Sequence, residues 1–304
     1  MSDDLRIVPS VASGVRDRLL AVRTLGILHG LDDDGALLLA EYSKLSFFEP
    51  EQEVTSADAD AESVHVVLEG RLRVPRPDGS SIIIDNGRGV GVIGVLANTG
   101  KGFQSIAEVP TRTLEISKEA FLTALDESFS IARNVLKIFA GTLLDDRGTL
   151  PTLQDAIPSP SIIEDRTEPR TLVERVIEVS RTGIFTDANI DPIFDIARVM
   201  RQIRVPVWHV FFKEGDLPRV IIRVLGGTVR CTKADGAAVE VSSGHMLGGL
   251  AALAARKHGF EAKATTEVVA YEINFEDFLV VLEAHPELSM KMLQTLARTL
   301  LEPA

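Results

Sequence analysis

The sequence predicts a mainly β protein with flanking helices, built as two tandem β-rolls of jelly-roll type, each ending in a long helix. Three observations carry this. The chain echoes itself at an offset of 157 positions, without a gap, from about residue 18 to residue 147. Short apolar stretches broken by glycines and turn residues recur in both copies. Each copy also opens and closes with apolar residues at helical spacing. The echo pairs Arg18 with Arg175, Gly26-Ile27 with Gly183-Ile184, and Gly70 with Gly227. It pairs Arg73 with Arg230, Asp78-Gly79 with Asp235-Gly236, Gly91 with Gly248, and Gly102-Phe103 with Gly259-Phe260. Glycine marks turns and close backbone approaches, so matched glycines imply matched chain geometry.

The elements follow in order. Residues 1–17 form an N-terminal tail without the apolar run of a signal peptide. Residues 18–28 read as a short helical lead-in. Residues 31–45 follow, with Asp32, Asp33 and Asp34 at the front, where acidic groups suit the free N–H groups of a helix start. In the second copy Asn189 or Asp191 can cap and Pro192 suits the first turn. Short strands are expected at 46–54, 64–68, 72–74 and 81–84, with Asp78-Gly79 as a hairpin signal. Their counterparts are 220–225, 228–231 and 238–241. A glycine-rich centre spans 87–102, and in the second copy a short helix is expected within 250–257. Residues 105–116 and 261–273 return to β texture. Ser117 and Asn274 can then cap the closing helices, whose apolar faces run through Phe129, Leu136 and Phe139 and through Leu288, Leu293 and Leu296.

Residues 148–172 carry Pro151, Pro158, Pro160 and Pro169, a density that prevents a continuous helix, so this stretch reads as a linker. The expected domains are therefore 18–147 and 173–304. The 304 residues suffice for two cores. With 32 basic and 44 acidic residues the net charge is −12, which disfavours bare nucleic acid as a partner. The one cysteine, Cys231, excludes an internal disulfide framework. No stretch reaches 18 uncharged apolar residues, so no membrane span is expected. A cytoplasmic protein is the expectation.

Lead-in helices, a small β-roll, a glycine-rich loop with an internal helix, return strands and a long closing helix resemble, in that order and twice over, the cyclic-nucleotide-binding domain superfamily. That superfamily includes the sensor halves of catabolite-activator-like regulators and the regulatory subunits of cyclic-AMP-dependent kinases. The resemblance covers roughly residues 18–147 and 173–304. It implies a pocket in which a glutamate takes the ribose hydroxyls and an arginine pairs with the cyclic phosphate. Here Gly91 stands at the glycine position that precedes the glutamate, and Val92 at the glutamate position. Gly248 and Gly249 stand there in the second copy, and the arginine position falls at Phe103 and Phe260. Lys101, Arg256 and Lys257 lie nearby but out of register. No tight cyclic-nucleotide site is expected in either copy. The helix-turn-helix domain of the bacterial regulators is not seen after either closing helix, so DNA is not an expected partner.

Other chemistry is weaker. The six histidines form no metal-binding spacing, and no metal or other cofactor is expected. Ser242-Ser243-Gly244-His245 lacks the strand–nucleophile–helix elbow of a hydrolase. Residues 98–102 echo a phosphate loop, but Gly102 stands where Ser or Thr must follow the lysine. Cys231 reads as a small buried hydrophobe. No catalytic residue is expected, and the chain is not expected to be an enzyme. The apolar stripes Leu136, Phe139, Leu143 and Leu293, Leu296, Leu300 recur at helical spacing on the closing helices. They are the candidate interface, toward the other repeat, a second copy of the chain or a different protein. The expected function is regulatory, adaptor or assembly work by protein–protein contact. The alternative is a sensor of a cyclic nucleotide or other small anion through non-standard contacts.

Overall fold

In the first copy α1 (Val15–Thr24) and α2 (Asp33–Glu41) lead into the strands. Asp32 caps α2 as its acidic front implies: its carboxylate accepts the Gly35 N–H at 2.8 Å. The strands are β1 (Ser43–Phe48), β2 (Glu53–Thr55), β3 (Ser63–Glu69), β4 (Leu72–Pro75), β5 (Ser81–Ile84) and β6 (Gly89–Val90). After α3 (Val92–Ala97), β7 (Ser105–Ala107) and β8 (Thr111–Ser117) return to the roll. Two four-stranded antiparallel sheets result, ordered β1-β8-β3-β6 and β2-β7-β4-β5. The copy closes with α4 (Lys118–Glu127) and α5 (Phe129–Arg147). This is a computed structural model, and it describes residues 14–24, 32–76, 79–98, 103–151, 169–180 and 189–302. Residues 1–13 of the tail, the Gly26-Ile27 and Gly183-Ile184 pairs, Asp78, residues 99–102 and most of the linker lie outside the described residues.

The second copy repeats this order. It runs α6 (Leu172–Ser180), α7 (Ile190–Val199), β9 (Met200–Val205), β10 (Val210–Phe212), β11 (Val220–Gly226), β12 (Val229–Thr232), β13 (Ala238–Val241) and β14 (Met246–Leu247). Then come α8 (Gly249–Leu253), β15 (Glu261–Ala264), β16 (Val268–Asn274), α9 (Phe275–Ala284) and α10 (Pro286–Leu301). Its sheets are ordered β14-β11-β16-β9 and β10-β15-β12-β13, the same pairings as in the first copy. Even the irregularities recur. A register shift between Val67 and Glu69 returns between Val224 and Gly226, and one between Glu53 and Thr55 returns between Val210 and Phe212.

Two glycines show why the echo is geometric. Gly70 and Gly227 have φ of +93° and +86°. A Cβ on Gly70 would sit 2.6 Å from the Pro110 carbonyl oxygen, and one on Gly227 would sit 2.2 Å from that of Glu267. Only glycine fits both the left-handed backbone and the close approach. Pro110 and Glu267 are themselves a pair at the same offset.

Two expectations need correction. Among the described residues 41% are helical and 29% lie in strands, so the chain is not mainly β. The strands are short because each roll closes with tight turns, while the helices at both ends of each copy run longer. The closing helix is also two helices rather than one. The chain breaks at Ser128 and again at its counterpart His285, both with φ of −130° and with non-helical ψ of 101° and 79°. Pro286 then opens α10, where it has no helical N–H to lose.

The chain falls into two compact units, Met1–Ile131 and Ala132–Ala304. Most of α5 therefore belongs with the second unit, although the repeat counts it with the first copy.

Candidate functional site

The apolar alternation of the strands fills the inside of each roll. In the second unit the inner core joins Val205, Phe212, Ile222, Val224, Val229, Cys231, Leu247, Phe260, Ala262, Val268 and Ala270 with others. In the first, Val67, Leu72, Val74, Ile84, Val90 and Ala107 form the corresponding cluster, with Phe48 packed against it.

The pocket positions lie where the glycine-rich segment meets this interior. Gly91 (φ +88°) precedes α3 and Gly248 (φ +84°) precedes α8. A Cβ on Gly91 would approach the Ser63 carbonyl to 2.5 Å, and one on Gly248 the Val220 carbonyl to 3.0 Å. Val92, at the glutamate position, is buried. Gly249 presents no side chain at all. At the arginine position Phe103 is 42% exposed, whereas Phe260 is 7% exposed. Phe260 meets Phe212 edge-on at 5.4 Å, and Phe212 stacks flat on His258 at 3.7 Å. Phe260, Phe212 and His258 thus form a run of three ring contacts in the second roll. Burial lowers the pKa of His258, against the pull of Asp216.

The first interior is chemically different. His65 is buried in β3 and shares hydrogen bonds with Ser63 Oγ (3.0 Å) and Thr113 Oγ1 (3.2 Å), while Phe48 meets it edge-on. Thr55 and Ser105 share a further hydrogen bond at 2.7 Å, and the Thr55 hydroxyl donates to the Phe103 carbonyl at 2.7 Å. Burial lowers the His65 pKa, with nearby Glu115 opposing it. None of these polar residues was singled out from the sequence as a site. The signal that would have found them is the pairing itself: Ser63, His65, Ser105 and Thr113 stand opposite Val220, Ile222, Ala262 and Ala270 at the 157-residue offset.

Outside the second roll lies another group that sequence reasoning missed. Glu178 of α6 is buried and accepts the Tyr271 hydroxyl at 2.8 Å; it also pairs with Arg170. Buried Arg223 sits beside this pair; its burial lowers its pKa, and Glu178 and Tyr271 oppose that. Burial pushes the Tyr271 phenol up to about 12. Cys231 is fully buried, and burial raises its thiol to about 12, far from a nucleophile's range.

The candidate interface positions lie on the closing helices as expected, but they are largely covered. Leu136, Phe139 and Leu143 of α5 and Leu293 of α10 are buried within the chain, and Leu296 and Leu300 are half-buried. Exposed apolar side chains stand at matched positions on the lead-in helices, Leu20 and Ile177, Leu37 and Phe194, and also elsewhere, as at Ile138 of α5, Val280 of α9, Trp208 and Leu217. Among the described residues no group of three or more His, Cys, Asp or Glu could hold a metal ion. Among them, too, no helix is long and apolar enough to cross a membrane.

The order of elements expected from the sequence is present in each copy, and the chain carries it twice. No protein-family model and no curated protein matches the chain. Among solved structures it is similar to the regulatory subunit of a cAMP-independent protein kinase A from Trypanosoma cruzi bound to guanosine. That match has 12% identity and a TM-score of 0.37, over 97% of this chain and 93% of that one. The regulatory domain of Toxoplasma gondii PKA, co-crystallised with cAMP, matches at 14% identity and a TM-score of 0.36, over 90% of this chain and 94% of that one. The sensor domain of the transcriptional regulator DNR from Pseudomonas aeruginosa matches at 16% identity and a TM-score of 0.39, over 46% of this chain and 97% of that one.

Proposed function

We propose that this protein is a non-enzymatic regulatory, adaptor or assembly module of the cytoplasm, acting by protein–protein contact through two degenerate cyclic-nucleotide-binding-like domains, 18–147 and 173–304. One observation carries the reading: the residues at the sugar- and phosphate-binding positions are Val92 and Phe103 in one copy and Gly249 and Phe260 in the other. A cyclic phosphate moved into either roll would give up its hydration with no guanidinium to replace it. Calorimetric titration of the full chain with cyclic AMP and cyclic GMP tests this. No saturable heat is expected below about 10 µM ligand, because losing a charge-assisted pair typically costs a factor of about 10³. Saturable binding in that range overturns the reading. Partner contact is assigned to the closing helices, where half-buried Leu296 and Leu300 keep part of the α10 stripe within reach.

A second reading has its own support. The first roll keeps a polar interior at Ser63, His65, Ser105 and Thr113, with Phe103 exposed beside it. A sensor of a small polar ligand through non-standard contacts would use that roll. Heat that appears in the titration and vanishes in His65→Ile would favour it over the adaptor reading.

A further inference from the structure

The end of α5 closes on the second roll through a set of specific contacts. Gly148 (φ +80°) turns the chain out of the helix. The next residue, Thr149, donates its hydroxyl to the Gly259 carbonyl at 3.2 Å. The fit there is tight. A Cβ on Gly259 would lie 2.4 Å from Thr149 Cγ2, 2.5 Å from its Cβ and 2.6 Å from its Oγ1. Gly259 does not have a left-handed backbone, so its lack of a side chain serves this contact and not a turn. Leu150 then packs against the inner core of the roll, the cluster that includes Phe212, Phe260 and Cys231. Two further contacts hold the helix end. Arg256, just beyond α8, makes a bidentate pair with Asp145 at 2.5 and 3.0 Å and lies over Gly141. Arg147 donates to the Thr299 carbonyl at 2.6 Å, at the end of α10.

We infer that residues 145–150 are a built-in plug of the second roll: Thr149 and Leu150 occupy its mouth beside Phe260, so anything that enters that roll must first displace the chain's own segment. The occupant competes in cis, at the high effective concentration that covalent linkage confers. Release of the plug frees the C-terminal end of α5 and exposes the inner core together. The second roll is therefore a switchable socket for a chain segment, whichever function the two copies serve.

The only cysteine provides the readout, because Cys231 belongs to the same inner core and is fully buried. The rate at which Ellman's reagent modifies Cys231 in the full native chain is measured for four proteins: wild type, Gly259→Ala, Thr149→Gly, and the two changes combined. Gly259→Ala should force Thr149 off its seat and speed modification by about 10-fold or more, since labelling follows the population of the open form. Thr149→Gly in the same chain removes the three nearest clashing atoms, Cβ, Cγ2 and Oγ1, and should bring the rate back to within about threefold of wild type. A Gly259→Ala rate equal to wild type overturns the plug. So does a fast rate that Thr149→Gly fails to slow, because that result places the damage in the roll itself.

Discussion

The two rolls share their backbone register and exchange their polarity. Inside the first lie Ser63, His65, Ser105 and Thr113; inside the second, at the same positions, lie Val220, Ile222, Ala262 and Ala270. On the opposite face the exchange runs the other way. Glu178, Arg223 and Tyr271 form a buried polar cluster in the second copy, where the first carries Ala21, Val66 and Leu114. Adjacent residues on one strand point to opposite faces, so His65-Val66 against Ile222-Arg223 is one swap seen from both sides. At strand positions such as His65 and Ile222, Val66 and Arg223, Thr113 and Ala270, or Leu114 and Tyr271, the fold keeps both members of the pair buried and leaves open what chemistry is buried there. Buried polarity needs only internal partners, and each copy supplies its own.

The largest effect should come from breaking the second copy's cluster. Glu178→Ala leaves the Tyr271 hydroxyl and Arg170 without this acceptor and takes the carboxylate charge from beside buried Arg223, and should cost about 3–5 kcal/mol in urea unfolding. Installing the first copy's residues at these three positions, Glu178→Ala with Arg223→Val and Tyr271→Leu, should recover at least about 2 kcal/mol of that loss, since the buried Arg223 charge is removed together with its carboxylate and only Arg170, which is partly exposed, loses a partner. If the triple variant is no more stable than Glu178→Ala, the two faces are not interchangeable and the comparison fails.

A smaller effect is expected from pH, and it should divide between the copies. Burial holds both His65 and His258 below the ordinary histidine pKa. The unfolded chain, with histidines near about 6.5, then takes up protons before the folded chain does. Above that value neither histidine contributes to the pH dependence. As pH falls through it, stability drops, and it keeps dropping until the folded pKa values are reached. Urea midpoints at pH 7.5 and 5.5 should show this loss. His65→Ile, which installs the second copy's residue, should remove the first unit's share and leave that of His258. An unchanged pH slope in His65→Ile would mean that His65 already takes up its proton in the fold.

The smallest effect belongs to the most conspicuous ion pair. Arg256 and Asp145 are 47% and 63% exposed, so solvent screens them, and Arg256→Ala should change global stability by less than about 1 kcal/mol. A loss above about 2 kcal/mol would show that the clasp, and not the packing of Thr149 on Gly259, holds the end of α5.

Much of the fold was legible in the sequence because its signals are local. Asp32 before α2, Ser117 before α4 and Asn274 before α9 cap as their side chains dictate, each accepting backbone N–H groups of the first turn. The hairpin strands β5 and β13 fall at their expected bounds. The closing helices read as single in a window of apolar residues; at His285 the following Pro286 is a local breaker that marks the second helix, whereas Ser128 has no such neighbour. The apolar stripe of α5 was legible as a stripe, but not the fact that it is covered. Helical spacing tells which residues share a face and says nothing about what meets that face.

By itself, then, the sequence determined the repeat, the order of the strands and the glycine turns, because each is written in residue identity and short-range spacing. Only the tertiary structure decided where the polarity goes and what fills the second roll. Thr149 and Gly259 stand 110 residues apart, as do the members of many such contacts, and no local pattern links them. A threonine after a helix and a glycine before a strand are ordinary residues in the sequence. They form a plug only because the folded chain brings α5 against the mouth of a roll that has no side chain at Gly259 to keep it out.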